Sequence, residues 1–224
     1  MAGLKAAHVC SACAWAHFTP PNRNVRYVVA PYSKHVFASF VAPPARRHRA
    51  FLMASRGLWH RKIAQLMTRE LGYRQLTEGW GNASRGDEPK GYASYLGALA
   101  GCRWVVSLDT KGSAGQLVAE ASMLGVPVIA IRGVRANVEL LLPDALRIPN
   151  LQPPFAARAR NRSLELEAKQ NTIQLVRQLI RYYETNTKEY AELSDSIQQR
   201  AQRLLQPPRR DSLAAQLTSC CVRT

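Results

Sequence analysis

The 224-residue chain predicts an α/β fold, a single doubly wound parallel sheet followed by C-terminal helices. Three observations carry that expectation. Short continuous apolar runs at 51–54, 104–108 and 128–131 are bounded by turn residues, the pattern of parallel strands covered on both faces. Residues 104–132, WVVSLDTKGSAGQLVAEASMLGVPVIAIR, parse as strand, small-residue turn, amphipathic helix, Gly-Val-Pro break and strand, which is the crossover unit that parallel pairing requires. Strand and helix patterns alternate up to about residue 160, and beyond that only helical spacing remains.

Each element has a local reason. Residues 1–24 have weak periodicity and a break at Thr19-Pro20-Pro21; 26–30 (RYVVA) reads as a short buried strand, and 31–40 as a turn and brief helix. The Pro- and Arg-rich segment 41–49 reads as a linker, so 1–49 is expected to be tail, strand and linker. A Rossmann-like domain is expected over 50–160. It begins with strand 51–54, turn 55–57 and helix 59–71, whose apolar face is Ile63, Leu66, Met67 and Leu71. A strand at 73–76 and a polar, glycine-rich loop at 78–91 follow. Helix 92–100 groups Tyr95, Leu96 and Leu99 and leads into the central strand 104–108. Helix 116–124 groups Leu117, Val118, Ala121 and Leu124, and Gly125 with Pro127 stops it before strand 128–131. A short helix at 137–142 and a strand at 145–148 complete the domain. Residues 161–206 should form two helices packed on it. The first carries Ile173, Val176, Leu179, Ile180 and Tyr183 on one face; Asn186 and Glu189 suggest a capping box for the second. Pro207-Pro208 starts a tail, 207–224, with one further helical stretch at 213–217.

Composition sets outer limits. Hydrophobic content of 46% with 21% charged residues is that of a globular chain, not a disordered one. No apolar run approaches the ~20 residues that span a bilayer, so no transmembrane segment is expected. Lys5 and Ala14-Trp15-Ala16 loosely imitate a leader, but His and Cys interrupt its apolar part, and a cytoplasmic location is expected. The five cysteines form no disulfide framework. His8, Cys10, Cys13 and His17 are zinc-type donors, yet no second pair follows at the usual distance; no metal or other cofactor is expected. The net charge of +16 admits nucleic acid, an anionic nucleotide or an anionic surface as partner. Arginine outnumbers lysine, no acidic residue precedes Glu70, and the cations are spread along the sequence apart from 46–49 and 209–210.

The chemistry concentrates in the central unit. Gly112, Ser113, Ala114 and Gly115 let backbone amides approach a ligand at a helix start, a natural phosphate seat. The following stretch, Glu120-Ala121-Ser122-Met123-Leu124-Gly125-Val126-Pro127-Val128-Ile129-Ala130, resembles the signature of the nucleotide-sugar-binding C-terminal half of GT-B glycosyltransferases of the group 1 or family 4 type. The resemblance implies that Glu120 accepts the ribose hydroxyls of a nucleotide-diphosphate sugar, since one carboxylate can accept from two neighbouring hydroxyls. It implies that Ser113, Gly115 and Gln116 meet the diphosphate, and that Arg56, Arg61 and Lys62, with Ser55, clamp the donor phosphates. The sugar nucleotide would be substrate, not cofactor, and no catalytic residue is assigned. Two features depart from the family pattern. Gly112 stands where that family often has an acid eight places before its ribose glutamate. The acceptor-binding half is largely missing before residue 51, so a second chain is the expected source of the acceptor side, for an acceptor of unknown identity. Arg132 and Glu139, after Leu124-Gly125-Val126-Pro127, are also placed like an Arg and a Glu of nucleotide-sugar 2-epimerases, with Asp109-Thr110 and Gly112-Ser113 echoing that family's turn. A catalytically inactive GT-B module and a basic nucleic-acid-associated protein complete the readings.

Overall fold

The structure, a computed structural model, describes residues 34–53, 58–76, 91–108, 115–133, 136–151 and 161–205. A short helix α1 (Lys34–Ala38) and a 3-10 turn (Pro44–Arg46) lead into β1 (His48–Met53). Helix α2 (Leu58–Gln65) runs on through a π-turn (Leu66–Glu70) to β2 (Arg74–Leu76). Then come α3 (Tyr92–Ala100), β3 (Cys102–Ser107), α4 (Gln116–Met123), β4 (Val128–Ile131), α5 (Ala136–Leu141), a 3-10 turn (Asp144–Leu146) and β5 (Arg147–Ile148). Two long helices finish the described chain, α6 (Arg162–Thr185) and α7 (Thr187–Leu205).

The five strands are all parallel, in the order β2-β1-β3-β4-β5. The chain therefore leaves β1 in one direction to make β2, returns past it to β3, and continues outward. Right-handed crossovers then place α2 on one face and α3, α4 and α5 on the other. The helix contacts agree: α6 packs on α2 and β5, while α7 packs on α4 and α5. This is the expected α/β Rossmann-like sheet, doubly wound, with its C-terminal helices spread over both faces. The winding reverses between β1 and β3, and the carboxyl ends of such a strand pair are the place where doubly wound sheets bind ligands.

Burial follows the sequence pattern. Ile63, Leu66, Met67, Leu71, Tyr95, Leu96 and Leu99 are core residues, as are Val118, Ala121, Leu124 and the whole of β4. Trp104 is fully buried at the centre, its indole N–H donating to the Tyr73 hydroxyl at 3.2 Å, with Tyr183 and Tyr190 packed against its ring at centroid distances of 5.9 and 5.4 Å. Edge contacts of this type add about 0.5–1.5 kcal/mol each beyond burial.

Several expectations change. The segment 41–49 is not a linker to its end: β1 starts at His48, and Arg47 is buried. Its guanidinium donates to the carbonyls of Gly125 (2.8 Å), Leu124 (3.2 Å) and Ala42 (3.1 Å) and to the Ser194 hydroxyl (3.0 Å). A cation is stable there because it closes the negative end of α4. The last strand is only Arg147–Ile148, since 144–146 winds into the 3-10 turn. In place of the expected capping box, the Asn186 amide donates to the Tyr182 carbonyl at 2.8 Å and Glu189 accepts from the Tyr182 hydroxyl. The expected strand at 26–30, the loop at 78–90, the zinc-type donors at 8–17 and the tail from 206 lie outside the described residues. Among the described residues no helix is long and apolar enough to cross a membrane, and none supply three or more potential metal ligands together.

Candidate functional site

Two helices begin at the carboxyl edge of the sheet, α2 after β1 and α4 after β3. Residue 115, the N-cap of α4, has φ of 84°, a left-handed conformation that favours glycine, which is what the sequence supplies. Gly115 has no side chain to cap this helix start, and no acid occupies its first turn. The first amides of a helix have no partner within it. The Gly115 carbonyl accepts from the Ala119 amide at 3.0 Å and from the Asn137 side chain at 3.2 Å. Asn137, buried in the first turn of α5, thus ties the N-cap of α4 to the next crossover.

One turn further along α4 stands Glu120, a carboxylate only 2% exposed. Burying it without partners would cost several kcal/mol. Three donors meet it. Tyr95 Oη donates to Oε2 at 2.8 Å, and Tyr92 Oη and Gln116 Nε2 each donate to Oε1 at 3.0 Å. Both tyrosines come from the start of α3, whose N-terminus lies at the same sheet edge because α3 runs back down into β3. Their rings stack at 6.0 Å with an interplanar angle of 28°. The two oxygens differ in surroundings. Oε2 is held by the buried Tyr95, whereas Oε1 is covered by side chains at the surface, Gln116 and the 45%-exposed Tyr92. A carboxylate accepts about four hydrogen bonds. Three donors among the described residues thus leave one acceptor position on the carboxylate.

Gly115, Gln116 and Glu120 are thus brought together on one helix start. Arg61 and Lys62 are exposed near the start of α2, at the same edge but on the other face of the sheet. No bond joins them to Glu120 among the described residues. Arg56 and Ser113 lie outside the described residues, as do Asp109-Thr110 and Gly112. Arg132 and Glu139 are engaged elsewhere: Arg132 pairs with Asp144 at 2.8 Å, and Glu139 accepts from Arg147 at 2.5 Å and from the Gly133 amide at 2.6 Å. They brace the turns around β4 and β5.

Sequence reasoning missed Tyr92, Tyr95 and Asn137 as polar partners. Tyr95 reads as a core residue beside Leu96 and Leu99, and its ring is indeed buried. The available signal was its hydroxyl, which needs a partner when buried, on the helix that starts at the same sheet edge as α4.

The opposite end of α4 explains the second half of the signature. Gly125 has φ of 70°, and a Cβ there would come within 3.3 Å of Arg47 Nη2, Gln198 Cβ and Ser194 Oγ. The Ser194 hydroxyl also donates to the Gly125 carbonyl at 2.7 Å. Glycine at this position serves packing against Arg47 and α7, at the other end of α4 from Gly115.

Fold and site together define an α/β Rossmann-like protein with a buried carboxylate cluster at the carboxyl edge of its sheet. No protein-family model, curated protein or solved structure matches the chain.

Proposed function

We propose that the chain is the donor-binding half of a glycosyl-transfer enzyme, holding a nucleotide-diphosphate sugar at the carboxyl edge of β1 and β3. The observation that carries this reading is Glu120: a buried carboxylate, one turn from an uncapped helix start, with one oxygen covered only by side chains at the surface. A ribose diol replaces Tyr92 and Gln116 on Oε1, while Tyr95 keeps Oε2 in place. The amides after Gly115 receive the diphosphate, where aligned peptide dipoles favour negative charge. Arg56, Ser113, Arg61 and Lys62 supply the remaining phosphate contacts in this reading. During transfer, fixed donors at the diphosphate stabilise the charge that grows on the leaving group.

Thermal unfolding with a panel of uridine, guanosine and adenosine diphosphate sugars tests it. At about 100 times the dissociation constant a bound donor stabilises by about 2.7 kcal/mol, which raises Tm by roughly 5–10 °C for a chain of this size. A panel without any shift contradicts the reading.

The engagement of both Glu120 oxygens by three donors of its own chain favours one second reading, a catalytically inactive module in which the cluster only joins α3 to α4. Replacement of Glu120 that lowers Tm while leaving donor affinity intact identifies that case.

A further inference from the structure

Cations that look scattered in the sequence collect at the other end of the sheet. Between residues 34 and 76 the only acid is Glu70. β1 and β2 both start with exposed basic residues, His48-Arg49 and Arg74. The pairing of Ala50 with Arg74 brings the two strand starts together, with Arg74 on the face of Ala50 and Arg49 on the opposite face over the Tyr73 ring. Arg46 precedes β1, Arg69 lies in the π-turn after α2 at the same rim, and Arg103 enters β3 beside them. Two carboxylates reach this rim from the helices, and both are taken. Glu184 accepts from Arg103 at 2.8 Å, lies 3.5 Å from Arg49 and accepts from Tyr73; Glu70 pairs with Arg177 at 2.8 Å. Arg46, Arg69 and Arg74 have no acidic partner among the described residues and are exposed.

We propose that this amino-end rim of β1 and β2 is a binding surface for the phosphate backbone of single-stranded nucleic acid. The chemistry favours a phosphodiester. All the unpaired rim cations are arginine, whose planar forks bond two phosphate oxygens at once. Neighbouring strands lie about 4.8 Å apart, so an extended backbone laid along this rim passes the starts of both β1 and β2. Membrane adsorption wants apolar side chains beside the charge, and the exposed residues of 45–49 and 68–74 include no large apolar one. The surface is at the opposite sheet edge from Glu120, so the inference stands independently of sugar-nucleotide binding.

The test is fluorescence anisotropy of the full chain with a labelled mixed-sequence RNA, about 20 nucleotides long. Neutralising about three phosphates gives a slope near −2 in log affinity against log salt, a fall of about 20-fold between 50 and 200 mM. Charge reversal in Arg69→Glu/Arg74→Glu should lower affinity at least tenfold at the lower salt. Arg203→Glu, an exposed cation at the C-terminal end of α7, should leave it unchanged. The neutral triple variant Arg46→Ala/Arg69→Ala/Arg74→Ala gives the same loss if reversal disturbs folding, which circular dichroism reports. Undiminished binding by the rim variants overturns the proposal, as does binding insensitive to salt. Capture by phosphatidylserine vesicles with no RNA binding also overturns it and assigns the rim to membranes.

Discussion

Glu120 and Gly125 sit five residues apart in one signature and do different things. Glu120 is a buried carboxylate one turn from the helix start at the carboxyl edge of the sheet, and Gly125 is a space requirement at the far end of the same helix. Gly125→Ala forces a side chain into the left-handed region, at about 1–2 kcal/mol, and pushes against Arg47, Ser194 and Gln198. The expected outcome is a Tm lowered by roughly 2–8 °C with donor binding retained at whatever level the unaltered chain shows. A Tm unchanged in calorimetry would mean that Arg47 does not close this helix end. The position of Glu120 on a helix was legible from the spacing of Leu117, Val118, Ala121 and Leu124. Its burial was not, because the hydroxyls that make burial tolerable come from Tyr92 and Tyr95, 28 and 25 residues earlier. Local periodicity carries no information about such a pairing.

At the scale of elements, the strands and helices with two packed sides were the legible ones. β4 and α3 fall where their apolar patterns put them, since Val128–Ile131 is buried throughout and α3 buries one stripe. β1 is longer at its start than the apolar run suggests, because His48 and Arg49 lie at the rim, where a strand need not be apolar. The lower part of the sheet is held to the α6–α7 hairpin through buried ionisable groups, with consequences at high pH. Burial pushes the Cys102 thiol up from its ordinary 9.0 to about 12, against the smaller opposing fields of Arg47 and Arg74. Burial likewise raises Tyr73, which Glu184 raises further, and Tyr190, despite Arg47 and Arg103. These groups stay protonated when folded, while the unfolded chain ionises them near 9 to 10. Their contribution to stability is therefore complete below pH 9 and is lost progressively from pH 9 towards 12. Urea midpoints measured across that range should be flat at first and then fall. A midpoint constant up to pH 11 would show that the hairpin does not shield these groups.

The molecule as a whole has two ends of opposite character. The carboxyl edge of the sheet gathers an uncapped helix start and a buried carboxylate; the amino edge gathers arginines. The parallel sheet, and hence the separation of these ends, followed from the alternation of elements, but the strand order and the asymmetry of charge did not. That asymmetry depends on β2 lying outside β1, which brings Arg74 to the rim at the start of β1. The salt-sensitive RNA binding expected at the amino edge and the thermal shift expected at the carboxyl edge should therefore be additive, with neither ligand displacing the other. The central claim is that Glu120 receives a ribose diol. Calorimetric titration with a nucleoside diphosphate that shifts Tm, and with its 2′-deoxy counterpart, examines it directly. A hydrogen bond to a charged group contributes about 1.5–3 kcal/mol, so the ribonucleotide should bind about 10- to 150-fold more tightly, and Glu120→Gln should abolish most of that preference. Equal affinity for the two nucleotides, or a preference that survives Glu120→Gln, would contradict the account.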